Sequence, residues 1–351
     1  MSKLVLVQVL RAAAALSVAM LHAQHDAATL AERAGRAFAP IAAFPWEAGV
    51  DVFFVVSGFI MVHASAPLFG RQGGGRTFLA RRIARIVPIY WAVTTLYLAV
   101  ALAAPAALNA EFLGWPYVVA SYLFIPMIRP DGNVQPLYGL GWTLNYEMFF
   151  YALFALAVAW PRKWAVPALA AVLAALVAAG LLFRPLPQPL GFWTDPIILE
   201  FVYGMALGLL HAKGVRLGPA ARALLGIAAV LVLIAVASRF GVWAIRYRAL
   251  GYGLPAAMLV AAVAFGPEGR EGGRLARVGA AIGDASYALY LIHPFVIRAG
   301  REGVWRGGLA AVVGPWTFVA LALAAAVLAS VVVHRLFERP ATAWVRARLK
   351  A

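Results

Sequence analysis

Leu4-Val5-Leu6-Val7-Gln8-Val9-Leu10-Arg11-Ala12-Ala13-Ala14-Ala15-Leu16-Ser17-Val18-Ala19-Met20-Leu21-His22-Ala23 opens the chain with an apolar run. At 1.5 Å per residue, about 20 residues of helix cross the roughly 30 Å hydrocarbon core of a bilayer. Two side chains in the run are ionisable, Arg11 and His22. At about 100° per residue, the eleven steps between them come to about 20° past three full turns. The two therefore share one helix face, about 16 Å apart along the axis. Charged and titratable groups are costly in lipid and mark function when they occur there.

The whole chain continues this character. Of its 351 residues, 64% are hydrophobic and 13% charged, against about 45–50% and about 25% in soluble domains. The expected fold is all-α: a polytopic membrane bundle of about ten helices, forming one domain over 1–351. The net charge of +16 fits basic loops facing anionic lipid, and no nucleic-acid partner is inferred from it. The absence of cysteine excludes disulfides, thiolate metal ligands and an acyl-cysteine intermediate. Lys3 precedes the first run and no small-residue cleavage site follows, so the run reads as a retained span, not a removed leader.

Ten spans are expected, at 4–23, 46–67, 83–105, 141–160, 164–183, 194–213, 221–239, 247–266, 281–299 and 310–336. A weaker apolar piece, Phe112 to Met127, is broken by Gly114-Trp115-Pro116 and by Pro126, and reads as interfacial or re-entrant. With the N-terminus inside, 20 of the 30 Lys and Arg fall on the cytoplasmic side, Lys3, Arg11, Arg270 and Arg346 among them. That bias supports cytoplasmic termini at both ends. Arg11 then lies toward the cytoplasm and His22 toward the outer half of the membrane.

Four polar constellations follow. The first is Arg11 with His22, which could equally be a histidine merely hydrogen-bonded near a helix end. In the second, Gly49-Val50-Asp51-Val52-Phe53-Phe54-Val55-Val56-Ser57-Gly58-Phe59, Asp51 lies at about the depth of His22. It could fix that ring's tautomer, or simply cap a helix. Ser57 and Gly58 read as small residues that admit close packing. The third is Arg81-Arg82-Ile83-Ala84-Arg85-Ile86-Val87-Pro88-Ile89-Tyr90-Trp91. Arg82 and Arg85 share a face and could grip a phosphate, or only obey the positive-inside rule. The fourth, Gly141-Trp142-Thr143-Leu144-Asn145-Tyr146-Glu147-Met148-Phe149-Phe150-Tyr151, places Glu147 inside a span, as a functional acid or as half of an ion pair. Further along, Ser286-Tyr287-Ala288-Leu289-Tyr290-Leu291-Ile292-His293-Pro294 carries a second membrane histidine, read as structural or channel-lining. No spacing suggests a metal site, and no Walker loop or Gly-x-Ser-x-Gly elbow is present.

Taken in order, these motifs resemble the acyltransferase-3 family of bacterial integral-membrane enzymes. Arg11-x10-His22, the Gly49 to Phe59 segment, Arg82-x-x-Arg85-Ile86-x-Pro88-x-Tyr90, Trp142-Thr143-Leu144-x-x-Glu147-x-x-Phe150-Tyr151 and Ser286-Tyr287-x-Leu289-Tyr290-Leu291-x-His293 carry the match. The fourth segment is similar to exopolysaccharide acetyltransferases of the succinoglycan type. The resemblance implies an inner-membrane enzyme taking an acyl group, acetyl by preference, from cytoplasmic acyl-CoA to a saccharide hydroxyl. It has no metal, and its partners are the donor, the saccharide and the bilayer. His22, Arg11, Asp51 and Glu147 are the expected catalytic residues. His22 serves as base or transient acyl acceptor, Asp51 or Glu147 orients it, and Arg11 guides the thioester or stabilises developing charge. Arg82, Arg85, Trp142 and Tyr90 are the expected donor-binding residues. The rival reading is a carrier or flippase for a lipid-linked saccharide or anion, since intramembrane Arg, His and Glu also serve proton-coupled transport. Against it, the two halves of the chain lack matching broken helices.

Overall fold

The computed structural model describes residues 4–103, 113–266 and 273–350, and the side chains of these except at 242–246. Lys3, Phe112 and Arg270, which entered the reading above, lie outside the described residues. Helices make up most of the described chain, joined by turns and by two longer connections at 34–45 and 123–138, with one isolated antiparallel bridge, Ile128 to Val134, and no longer strand pairing among those residues. The protein is the all-α membrane bundle that its composition implies.

In chain order the main helices are α1 (Val5–Arg33), α2 (Gly49–Ala64), α3 (Gly74–Ala103), α4 (Trp115–Tyr122), α5 (Trp142–Ala157), α6 (Arg162–Leu182), α7 (Leu199–Ala212), α8 (Pro219–Arg246), α9 (Leu254–Ala264), α10 (Arg274–Asp284), α11 (Ser286–Arg306), α12 (Pro315–Val333) and α13 (Arg339–Leu349). Among the described residues each of the ten expected spans overlaps helix; the end of the third, at 104–105, lies outside them. By length and composition, six described helical stretches are able to cross a membrane, or seven with the pair α10 and α11 taken as one. Trp142–Ala157, Pro196–Ala212 and Ala249–Ala264 are shorter than a full crossing. The ninth expected span needs correction. It begins inside α10, and the chain bends by 71° before α11, at Ala285 (φ −86°, ψ 3°). Over its described residues, 113–127, the weak apolar piece contains one helix, α4, entered through Gly114 at φ 91° and Pro116 in its first turn, where a missing N–H costs nothing.

The chain forms two compact units, residues 1–56 with 206–336, and residues 57–205 with 337–351. In the first, α1 packs on α10, α11 and α12 through a stripe of small residues, Ala12, Ala15, Ala19, Ala23 and Ala27, all buried. Without large side chains between them the backbones approach closely. A Cβ on Gly283 would collide with the Gln8 carbonyl, and one on Gly49 with the Ala14 carbonyl. The second unit is held by aromatic rings. Phe150 stacks on Phe201 at 4.3 Å, and Phe154 meets Phe78 at 4.8 Å. α13 lies along α3. Gly58 abuts the Phe201 carbonyl, the close approach its size implied.

Candidate active site

In the first unit, α1 carries His22 half-buried on its inner side. Its Nδ1 lies 2.9 Å from the Val18 carbonyl, one turn earlier. Its ring meets His293 of α11, with centroids 5.0 Å apart and planes inclined by 63°. His293 Nε2 stands 3.3 Å from His22 Nδ1. His293 is fully buried, and its own Nδ1 lies 3.0 Å from the Leu289 carbonyl. Pro294 follows it inside the helix and has no N–H to give Tyr290, which loosens the backbone ladder beside the ring. The motif around His293 was visible in the sequence. Its pairing with a residue 271 positions away was not.

Arg11, three turns from His22 on the same helix, donates from Nη1 to Gln8 Oε1 at 2.8 Å. Asp51 takes a different place from the one expected. It is fully buried, and Arg248 holds both its oxygens, Nε to Oδ1 at 2.8 Å and Nη2 to Oδ2 at 2.7 Å. As the third residue of α2 it is not the helix cap either. Arg248 also reaches the Glu47 carbonyl at 3.1 Å, and the Tyr252 hydroxyl donates to Glu47 Oε1 at 3.2 Å. The imidazole meets a second imidazole, while this acid is bound to a guanidinium. Further along the α1–α11 seam, Arg301 Nη1 stands 2.7 Å from Asp26 Oδ1 and its Nη2 2.8 Å from Glu302 Oε1.

The second unit gathers Ser57, Glu147 and Tyr151. Ser57 Oγ donates to Glu147 Oε1 at 3.0 Å, and the Tyr151 hydroxyl, one turn on from Glu147, donates to the same oxygen. Ser57 and Tyr151 hydroxyls are 3.2 Å apart. Ser57 is thus a polar partner of the acid, more than the packing residue expected. The Arg82 guanidinium lies over the Phe78 ring at 5.8 Å and within electrostatic range of Tyr151 and Glu147. Its Nε is buried with no partner among the described residues. Arg85 and Arg346 are also in range of Arg82, and Arg346 is in range of Arg81. Arg346, expected only as a basic residue of the cytoplasmic tail, joins this group because α13 returns to α3.

Trp142 sits at the start of α5, edge-on to Tyr146 at 6.0 Å. Asn145 is fully buried, and neither of its amide atoms has a partner among the described residues. Tyr90 is fully buried and donates to the Ser121 carbonyl at 3.0 Å. Its ring lies so close to Gly141 that a Cβ there would come within 2.7 Å. Tyr90 therefore fixes the turn from which Trp142 emerges. Among the described residues no group of three or more His, Asp or Glu is placed to hold a metal ion.

The family model described as an acyltransferase domain, of the acyltransferase-3 type, matches residues 6–335. The exopolysaccharide production protein ExoZ of Rhizobium meliloti (strain 1021) is 36% identical over 302 residues, 86% of this chain and 91% of that protein. The acyltransferase MdmB of Streptomyces mycarofaciens is 30% identical over 322 residues, 83% of this chain and 79% of that protein. No solved structure matches.

Proposed function

This chain belongs to the acyltransferase-3 family and is a multi-pass membrane acyltransferase, and from that premise we propose that it moves an acyl group, acetyl by preference, from acyl-CoA to a hydroxyl of an exopolysaccharide or related cell-surface glycan. The likeness to a relative named for exopolysaccharide production supports the acceptor class. The excess of basic residues on one side of the expected topology supports an inner-membrane placement with cytoplasmic termini and a cytoplasmic donor.

The observation that carries the mechanism is the contact of His22 Nδ1 with the Val18 carbonyl. A carbonyl only accepts, so Nδ1 bears the hydrogen and Nε2 keeps its lone pair. Nε2 takes the proton of the acceptor hydroxyl as its oxygen attacks the thioester carbonyl. The carbon–sulfur bond then breaks, and the imidazolium returns the proton to the departing thiolate. Arg11, three turns away on the same helix face and held by Gln8, guides the arm that carries the thioester toward His22. Arg82 and Arg85 hold the donor's phosphates. The buried Nε of Arg82, which has no partner among the described residues, fits that role, because a guanidinium with a spare donor beside other arginines favours a polyanion. Glu147, tied to Ser57 and Tyr151, offsets part of that charge. Trp142 flanks the donor, with Tyr90 holding the turn beneath it.

The test is His22→Ala in membranes with expression and insertion verified, using labelled acetyl-CoA and the saccharide acceptor. Turnover falls by at least about 100-fold when a general base is removed. Acetylation at the wild-type rate removes His22 from the chemistry.

A further inference from the structure

Every hydrogen-bonding nitrogen of the His22–His293 pair but one is accounted for by its surroundings. His293 Nδ1 faces the Leu289 carbonyl at 3.0 Å, so it carries the hydrogen and its Nε2 is a bare lone pair. That lone pair faces His22 Nδ1 at 3.3 Å. His22 Nδ1 also faces the Val18 carbonyl at 2.9 Å, a second acceptor. Two acceptors thus converge on a single N–H, and the proton order Leu289 carbonyl, His293, His22 runs in one direction only. The remaining nitrogen, His22 Nε2, has no partner among the described residues.

We propose that His293 is the positioning residue of the acyl transfer, and that its Nε2 accepts the His22 Nδ1 hydrogen in the place where a carboxylate usually orients a catalytic histidine. The inference rests on His22 being the base, and it adds a neutral acceptor where an acid was expected. When His22 Nε2 takes the hydroxyl proton, the ring becomes an imidazolium and its Nδ1–H becomes a stronger donor. His293 Nε2 and the Val18 carbonyl then share that hydrogen without moving. A neutral acceptor also brings no net charge into a fully buried position, where an unpaired carboxylate would be costly. The ring angle of 63° aims the His293 lone pair at the edge of His22 and leaves its far nitrogen for the substrate.

The experiment compares His293→Leu, His293→Met, His293→Gln and His22→Ala as purified full-length enzymes whose folding is verified by gel filtration and thermal denaturation. The two apolar variants lose the acceptor. They should lower kcat by about 10- to 100-fold, the worth of one hydrogen bond to a charged group, while KM for acetyl-CoA stays within about twofold. The Gln carbonyl can accept near the same point and should restore most of kcat. Wild-type kcat in the apolar variants, or an equal loss in Gln and Leu, overturns the assignment of His293. His22→Ala separates the two readings. If it is inactive while His293→Leu is fully active, only the positioning role fails; if His22→Ala is active, the base itself is wrong.

Discussion

Arg248 closes on Asp51 with two parallel hydrogen bonds, joining residues 197 positions apart at a point where the carboxylate has no exposure. Removing one partner of such a pair strands the other charge, at a cost of roughly 3–5 kcal/mol. Asp51→Ala and Arg248→Ala should each lower the midpoint of thermal unfolding in detergent markedly. The double variant Asp51→Leu with Arg248→Met should lose less than the sum, because neither charge is left alone. A double-mutant cycle on folded fraction measures this. Activity should track the folded fraction in all of these variants. A fully folded Asp51→Asn with kcat down a hundredfold returns this acid to the chemistry.

Close approach of α1 and α10 makes a sharper prediction about packing. Gly283→Ala places a methyl group on the Gln8 carbonyl. Overpacking of that kind costs about 1–3 kcal/mol, read as reduced yield and a lower unfolding midpoint. Gly303→Ala, in α11 with open space around it, should be neutral or stabilise by up to about 1 kcal/mol. Equal behaviour of the two would mean that the α1–α10 contact is looser than described.

If the guanidinium group at α3 and α13 holds phosphates, its variants should matter only for a donor that has them. Arg82→Lys, Arg85→Ala and Arg346→Ala should each raise KM for acetyl-CoA by about tenfold, the equivalent of one lost charge-assisted hydrogen bond. KM for acetyl-pantetheine, which lacks the nucleotide phosphates, should stay unchanged. Steady-state kinetics with both donors decides it, and a parallel rise for acetyl-pantetheine contradicts phosphate binding.

The Tyr151 hydroxyl and Ser57 both donate to Glu147. Tyr151→Phe should destabilise by about 1.5–3 kcal/mol, the loss of a donor to a charged group, and Ser57→Ala by less because the tyrosine remains. Glu147→Gln keeps an acceptor and should lie between wild type and Glu147→Leu in thermal stability. A Tyr151→Phe midpoint equal to wild type would show the carboxylate to be satisfied elsewhere.

Membrane character, the all-helical class and the family were legible from apolar windows and motif order, because lipid imposes its length rule directly on the sequence. Helix ends were less legible. The apolar window closes at Ala23, yet α1 runs to Arg33, since backbone hydrogen bonding continues where hydropathy stops. The bend at Ala285 escaped the window for the complementary reason: both sides of it are apolar enough to average together. Arg11 and His22 on one face followed from the 3.6-residue period alone. Which group would meet His22 did not, because no local pattern encodes a contact with His293, and Asp51 lay nearer in sequence. Arg346 looked like tail charge until α13 was seen to return along α3.

The long-range pairs of α1 also have a meaning in time. A ribosome adds about 5–20 residues each second. His22 therefore precedes His293 out of the ribosome by roughly a quarter of a minute to a minute, and Asp26 waits about as long for Arg301. During that interval the first helix stands in the bilayer with an imidazole and a carboxylate that have not met their partners. Completion of its unit is thus a late event in synthesis. A nascent chain cut short before α11 would leave those two groups without their long-range partners.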